Sequence, residues 1–206
     1  MLDYLLSGSA DRTVRKWELR SFACVLTFEG HASLVYKLLA AGELLFTSSY
    51  DRTARCWDLE LGDQVHVYEG HTRGLYPLLY MVVASGDAAD GFGVLETDVL
   101  LPGERERHLL VTGSADGTAK LWSVDRALCM RTYGDETRAG APVTCLASDA
   151  GGGTLFAGCT DGLVRSFKTS TGDPLRTYGG HTAAITALQV SVSSRVLSST
   201  YLVHSR

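Results

Sequence analysis

Four residue types that together can perform hydrolysis recur in this chain at fixed spacing: a histidine, a serine or threonine, an aspartate and a tryptophan. One set is His31, Thr47 or Ser49, Asp51 and Trp57; the next is His71, Thr112 or Ser114, Asp116 and Trp122. Read as a triad, Asp51 orients His31, His31 activates the hydroxyl of Ser49, and an oxyanion hole and a cleft must complete the machinery. Read as a staple, the aspartate and histidine tie two loops together and the hydroxyl bridges to the indole N–H, so that buried polar groups satisfy one another. Repetition separates the two. An active site needs one copy, whereas a staple is needed in every unit, and a bulky tryptophan accompanies each set. The staple is therefore assigned to His31, Ser49, Asp51, Trp57, His71, Ser114, Asp116 and Trp122, and no catalytic residue is assigned.

Other candidates carry less. Gly151, Gly152, Gly153 and Thr154 suggest a phosphate loop, but no Lys-Ser/Thr follows and no helix is predicted, which favours a hairpin turn. Six histidines invite a metal, yet His31, His71 and His181 fall at equivalent places in different repeats, and His66, His108 and His204 lack ligand spacing. No metal or cofactor site is assigned. The run Glu104-Arg105-Glu106-Arg107 reads as a solvated charge cluster.

The bulk properties are those of an ordinary globular chain. It has 206 residues, 45% hydrophobic and 20% charged, and a net charge of −4, which advertises neither nucleic acid nor an anionic membrane. Five cysteines without a C-x-x-C pair disfavour both a disulfide framework and a zinc site. No stretch approaches the length of a membrane span, the first residues lack the pattern of a secretory signal, and there is no asparagine to glycosylate. The expected compartment is intracellular and reducing, with the cytoplasm as the default.

The elements that must position these residues are repeats. Asp11, Asp51, Asp116 and Asp161 are each followed six residues later by a large aromatic, Trp17, Trp57, Trp122 and Phe167, and stand 40, 65 and 45 residues apart. Gly-His at 30–31, 70–71 and 180–181, with Asp-Glu at 135–136, steps along the chain by the same 40, 65 and 45. One insertion, from about 83 to 107, explains both series. Within the unit 30–58, apolar runs at 34–40 and 44–49 flank Ala41-Gly42-Glu43, which predicts strand, turn, strand, turn, strand.

With Gly-His followed by Gly-Ser-Ala-Asp-Arg-Thr-Val-Arg-Lys-Trp-Glu at 8–18, or Gly-Ser-Ala-Asp-Gly-Thr-Ala-Lys-Leu-Trp-Ser at 113–123, the chain resembles the WD-repeat (WD40, β-transducin-like) family over nearly its whole length. The likeness implies an all-β propeller with one four-stranded blade per repeat, and the strand-length runs with turn signals roughly every ten residues agree with it. Residues 1–29 make a partial blade, 30–69 a blade, 70–134 a blade carrying the insertion, 135–179 a degenerate blade, and 180–206 a truncated one. In the degenerate repeat Glu136, Cys159 and Phe167 stand where histidine, serine and tryptophan are expected, so that blade is the softest. In the last repeat a strand is expected at 184–190 and another begins at 195, but Leu202 replaces the turn aspartate.

An arc of three full blades with partial blades at both ends leaves sheet faces uncovered. Three accounts stay open: a fragment of a larger ring, closure as four blades with 184–190 beside Leu5 to Ser9, and assembly of arcs from two chains. The inserted segment reads as a surface loop, with Phe92-Gly93-Val94-Leu95 as a docking alternative. The resemblance further implies a non-catalytic scaffold for protein–protein contacts, with no nucleic acid, membrane or small-molecule substrate. Its docking rim falls here on Arg12, Tyr50, Arg52 and Arg73, residue types enriched at interface hot spots. The alternative reading is a substrate-recruiting module of a larger enzyme assembly such as a ubiquitin ligase.

Overall fold

The computed structural model of the chain describes residues 3–84, 106–135 and 140–191. Every regular element among them is a strand. The first sheet has three, β1 (Tyr4–Gly8), β2 (Val14–Glu18) and β3 (Cys24–Phe28), in that order. The second holds β4 (Val35–Ala41), β5 (Leu44–Ser49), β6 (Ala54–Asp58) and β7 (Gln64–Tyr68); the third, β8 (Leu75–Ala84), β9 (Glu106–Ser114), β10 (Ala119–Ser123) and β11 (Cys129–Tyr133); the fourth, β12 (Val143–Ser148), β13 (Thr154–Cys159), β14 (Val164–Lys168) and β15 (Pro174–Tyr178). Each sheet is an antiparallel meander in chain order.

The turn chemistry explains the meander. In the hairpins β1–β2, β5–β6, β9–β10 and β13–β14 the aspartate side chain accepts from the backbone two residues on, as Thr13 N–H to Asp11 and Thr53 N–H to Asp51 at 2.9 Å each, and the next residue swings into the left-handed region. Gly117 and Gly162 take that position at φ 86° and 79°. Arg12 and Arg52 take it at 78° and 75° despite their β-carbons.

Sheets stack face to face, so β5 and the C-terminal half of β9 are buried on both sides. Val14, Phe28, Val35, Leu45 and Trp57 fill the first interface. Phe46, Ala54, Tyr68, Leu75, Leu110 and Trp122 fill the second, and Val111, Leu121, Tyr133, Val143, Leu155 and Phe167 the third. At full burial each large side chain contributes on the order of 1.5–3 kcal/mol. Tyrosine hydroxyls at the ends of the outer strands lock one sheet to the next: Tyr68 donates to the Val124 carbonyl at 3.2 Å and Tyr133 to the Thr169 carbonyl at 2.7 Å. Phe28 holds the same place in the first sheet without a hydroxyl. Tyr133→Phe is expected to lower stability by about 1 kcal/mol, measured by urea denaturation, because the Thr169 carbonyl is left unpaired inside the protein.

Two details differ from the sequence-based expectation. The hairpin of the third sheet runs further than its apolar pattern, since Val83 pairs with Arg107 and Ala84 with Glu106; these four residues, placed above in the insertion, belong to the ladder. The rest of that insertion, including Phe92 to Leu95, lies outside the described residues, as do Glu136 and residues 192–206. Finally, 184–190 makes no strand ladder. It takes the innermost position beyond the fourth sheet, where Ile185 N–H donates to the Cys159 carbonyl at 3.0 Å as Val35 N–H does to Ser9 at 3.1 Å. The segment expected to pair with it, from residue 195 onward, is among those outside the described residues.

Candidate functional site

The bulge at the start of each innermost strand and the aspartate turn of the neighbouring hairpin bring the staple residues together. In the second sheet His31 Nδ1 lies 2.7 Å from Asp51 Oδ2, and its Nε2 lies 2.7 Å from the Thr47 hydroxyl. The Trp57 indole N–H donates to that same hydroxyl at 3.0 Å. The third sheet repeats the chain of bonds with His71, Asp116, Thr112 and Trp122, at 2.8, 2.8 and 2.9 Å. The network is consistent with a neutral imidazole that donates through Nδ1 to the carboxylate and accepts the threonine hydroxyl proton at Nε2.

The bridging hydroxyl is therefore Thr47 or Thr112, not Ser49 or Ser114. Leu45 sits across from Trp57 in the ladder, so Thr47 is its diagonal neighbour on the same face while Ser49 is a further pleat away. Ser49 and Ser114 do a different job. Their hydroxyls donate to the Ser33 and Arg73 carbonyls at 3.1 and 3.0 Å and accept from the Asp51 and Asp116 N–H groups at 3.1 Å, pinning each turn to the loop before the innermost strand.

These groups are sealed. His31 and His71 side chains are each 1% exposed, and Thr47 and Thr112 are fully buried. The threonine oxygen already has an imidazole on one side and an indole on the other, which leaves no direction for attack on a substrate. Burial by itself would raise the Asp51 and Asp116 carboxyls. Hydrogen bonds from His31 and Thr53, and from His71 and Thr118, outweigh it and hold both well below the usual carboxylate range.

The other repeats keep part of the staple. In the first sheet the Trp17 indole donates to Ser7 at 2.8 Å and Asp11 holds its turn. In the fourth, the ladder places Ala157 where Thr47 and Thr112 stand and Cys159 where Ser49 and Ser114 stand, and Phe167 offers no N–H. Asp161 still caps its turn through the Leu163 N–H but gives its outer oxygen to Arg165 at 2.6 Å. His181, unlike His31 and His71, is exposed.

Arg12, Tyr50, Arg52 and Arg73 are all exposed on the rim where the aspartate turns lie. Tyr50 seats its ring on Gly74, where an added β-carbon would come within 2.6 Å of it. Two residues that sequence reasoning missed stand beside it. Tyr36 and Tyr76 contact edge to face, with centroids 4.7 Å apart, and Tyr36 and Tyr50 are each 55% exposed. The bulge between Val35 and Lys37 turns Tyr36 out of the ladder. Their signal was available: both tyrosines stand five residues after a staple histidine.

Comparison with known proteins agrees with this architecture. The model of the family described as WD domain, G-beta repeat, matches residues 22–58, 105–123, 128–168 and 172–202, more than half of the chain. Autophagy-related protein 16 of Arabidopsis thaliana is 34% identical over 94 residues, 45% of this chain and 18% of that protein. Transcription initiation factor TFIID subunit 5 of Caenorhabditis elegans is 30% identical over 90 residues, 44% of this chain and 13% of the relative. The chain thus spans less than a fifth of either relative. Among solved structures, the computationally designed Ika8 protein superposes with a TM-score of 0.69 at 23% identity, covering 92% of this chain and 50% of that one, a likeness of fold. With four antiparallel sheets stacked as blades, a repeated His–Asp–Thr–Trp staple and a family match over most of its repeats, the chain belongs to the WD40, or G-beta repeat, family.

Proposed function

We propose that this chain is a non-catalytic scaffold that docks a protein partner on the rim formed by Tyr36, Tyr50, Arg52, Arg73 and Tyr76, with Arg12 extending the same surface. WD40 repeats are generally protein-interaction modules without chemistry of their own. The observation that carries the site is backbone strain. Arg12 and Arg52 hold φ values of 78° and 75° at the turn position that Gly117 and Gly162 occupy in the other units. A β-carbon there costs roughly 1–2 kcal/mol, and strain of this kind concentrates at working surfaces. The rim couples those guanidinium groups to half-exposed aromatic rings, the residue types that dominate interface energetics.

Two variants test it. Tyr50→Ala with Arg52→Ala is expected to abolish capture of the partner in affinity pull-downs while leaving thermal stability within about 0.5 kcal/mol. Arg52→Gly is expected to raise stability by about 1 kcal/mol as it relieves the turn, and to weaken capture at the same time. Loss of fold in the first variant, or unchanged capture in both, would overturn the assignment.

A substrate-recruiting role within a larger enzyme assembly, such as a ubiquitin ligase, is the second reading; one relative is by name a subunit of a larger factor. Residues 46–55 and 111–122, with the long insertion after Tyr80, also look like WD repeat-containing protein 86, and we propose that subfamily resemblance. An intracellular, reducing compartment suits the exposed thiols of Cys24 and Cys129, which lie on different sheets.

A further inference from the structure

The cations of the rim face solvent, and its acids are turned to the staple. Arg12, Arg52 and Arg73 are exposed, and among the described residues none of them pairs with a carboxylate. Each oxygen of Asp51 accepts two hydrogen bonds, from His31 and Ala32 on one side and from Thr53 on the other. Asp116 is filled in the same way by His71, Thr72 and Thr118. Asp11, exposed at the far end, spends one oxygen on Thr13. A chain of net charge −4 thus presents a strip of unpaired guanidinium groups. Its centre is aromatic. The Tyr50 ring rests on Gly74, the neighbour of Arg73, and Tyr36 and Tyr76 meet edge to face beside it. Ser48 fixes the backbone there by donating to the Tyr76 carbonyl at 2.9 Å. The arginines stop at the third sheet, where Gly117 takes the turn position of Arg12 and Arg52. Stacked sheets lie roughly 10 Å apart, so from the first turn to the loop before β8 the strip runs roughly 15–20 Å, the reach of about five or six extended residues.

We infer that the rim takes an extended acidic peptide segment, with an aromatic or other large apolar side chain on the three tyrosines and carboxylates to either side against Arg52, Arg73 and, further along, Arg12. This rests on the docking role proposed above and names the class of partner. Guanidinium–carboxylate bonds are charge-assisted and often bidentate, so they set the register of the segment, while the ring contacts supply apolar area. Burial, and then the neighbouring phenols of Tyr36 and Tyr50, push the Tyr76 hydroxyl up, so it stays protonated as a donor to an anion. A cationic partner fits badly. With centroids 4.7 Å apart the Tyr36 and Tyr76 rings touch, which leaves no gap between them for an ammonium group, and the arginines repel it. Duplex nucleic acid fits badly too, since its binders typically neutralise about 6–10 phosphates and this strip offers three arginines.

A phage-displayed library of random peptides, selected on the full chain, is the probe. Enriched sequences are expected to carry Asp or Glu on both sides of an aromatic or large apolar residue. A synthetic peptide of the most enriched sequence is expected to bind in fluorescence anisotropy, with an affinity that falls as salt rises. Arg52→Gln with Arg73→Gln is expected to weaken that binding by about tenfold or more and to leave the thermal melt unchanged, because both side chains are exposed. Arg52→Glu with Arg73→Glu is expected to bind the same peptide with its acids replaced by lysine, which the wild-type chain does not bind. Enrichment of basic or uncharged peptides that still need Tyr50 and Arg52 would overturn the acidic class and leave the docking rim in place. Acidic peptides indifferent to Tyr50→Ala, Arg52→Gln and Arg73→Gln would overturn the rim as their site. A trimethyllysine peptide or a single-stranded oligonucleotide that binds as tightly as the selected peptide would overturn the inference as well. The docking role itself is read separately, from partner capture with Tyr50→Ala and Arg52→Ala.

Discussion

Trp122→Ala is expected to lower the free energy of unfolding by about 3–5 kcal/mol. Trp122 is 1% exposed; its ring lies 5.8 Å from Tyr68 and 6.4 Å from His71, and its N–H completes the bond to Thr112. Truncation empties the interface between the second and third sheets and leaves Thr112 without its donor. The same change at Trp17 should cost less, because the first sheet has a solvent-facing side and Trp17 is only half-buried. Urea denaturation of both variants measures the difference. A loss below about 1 kcal/mol at Trp122 would show that neighbouring side chains collapse into the space and that the staple does not hold the sheets together.

Asp116→Asn should destabilise by roughly 2–3 kcal/mol at neutral pH, since an amide NH2 then faces donors on one side, either His71 Nδ1–H with the Thr72 N–H or the two Thr118 donors, and should also change the acid limb of the stability curve. The direction follows from linkage. His71 and Thr118 hold the folded-state carboxyl well below its ordinary value, so the unfolded chain binds a proton first as pH falls. The stabilisation is then complete above about pH 4, the range of a free carboxyl, and is lost as pH drops from there toward the folded-state value. Asp51 contributes in the same window with the same sign. Asp116→Asn is expected to flatten the dependence between about pH 4 and 2, with the Asp51 share remaining. Urea midpoints measured across that range check it; an unchanged acid slope would mean the Asp116 carboxylate is not stabilised in the folded protein.

Both effects concern groups that resemble catalytic machinery and are mechanical. The distinction rests on access. A histidine, a hydroxyl and a carboxylate in hydrogen-bond contact become reactive when one face of the hydroxyl is open to a substrate and oxyanion donors wait beside it. Here an indole N–H occupies that face, and the group is fully buried, twice over. In the proposed function recognition falls to the rim, where Tyr50 and Arg52 stand out of a turn that the staple holds in place.

The repeat, the all-β architecture and the partners of Asp51 and Asp116 were legible in the order of residues, because each depends on short-range rules. An aspartate that caps its own turn sets the hairpin, an apolar run sets the strand, and a spacing that recurs sets the sheet. Residue order could not choose between Thr47 and Ser49, since both lie on one face of β5 and only the ladder register, with Leu45 opposite Trp57, puts the threonine under the indole. Nor could it show that Tyr36 and Tyr76, 40 residues apart, meet edge to face. Those facts belong to contacts between neighbouring sheets. Local chemistry decides what each sheet is, and the space between two stacked sheets is decided by both at once.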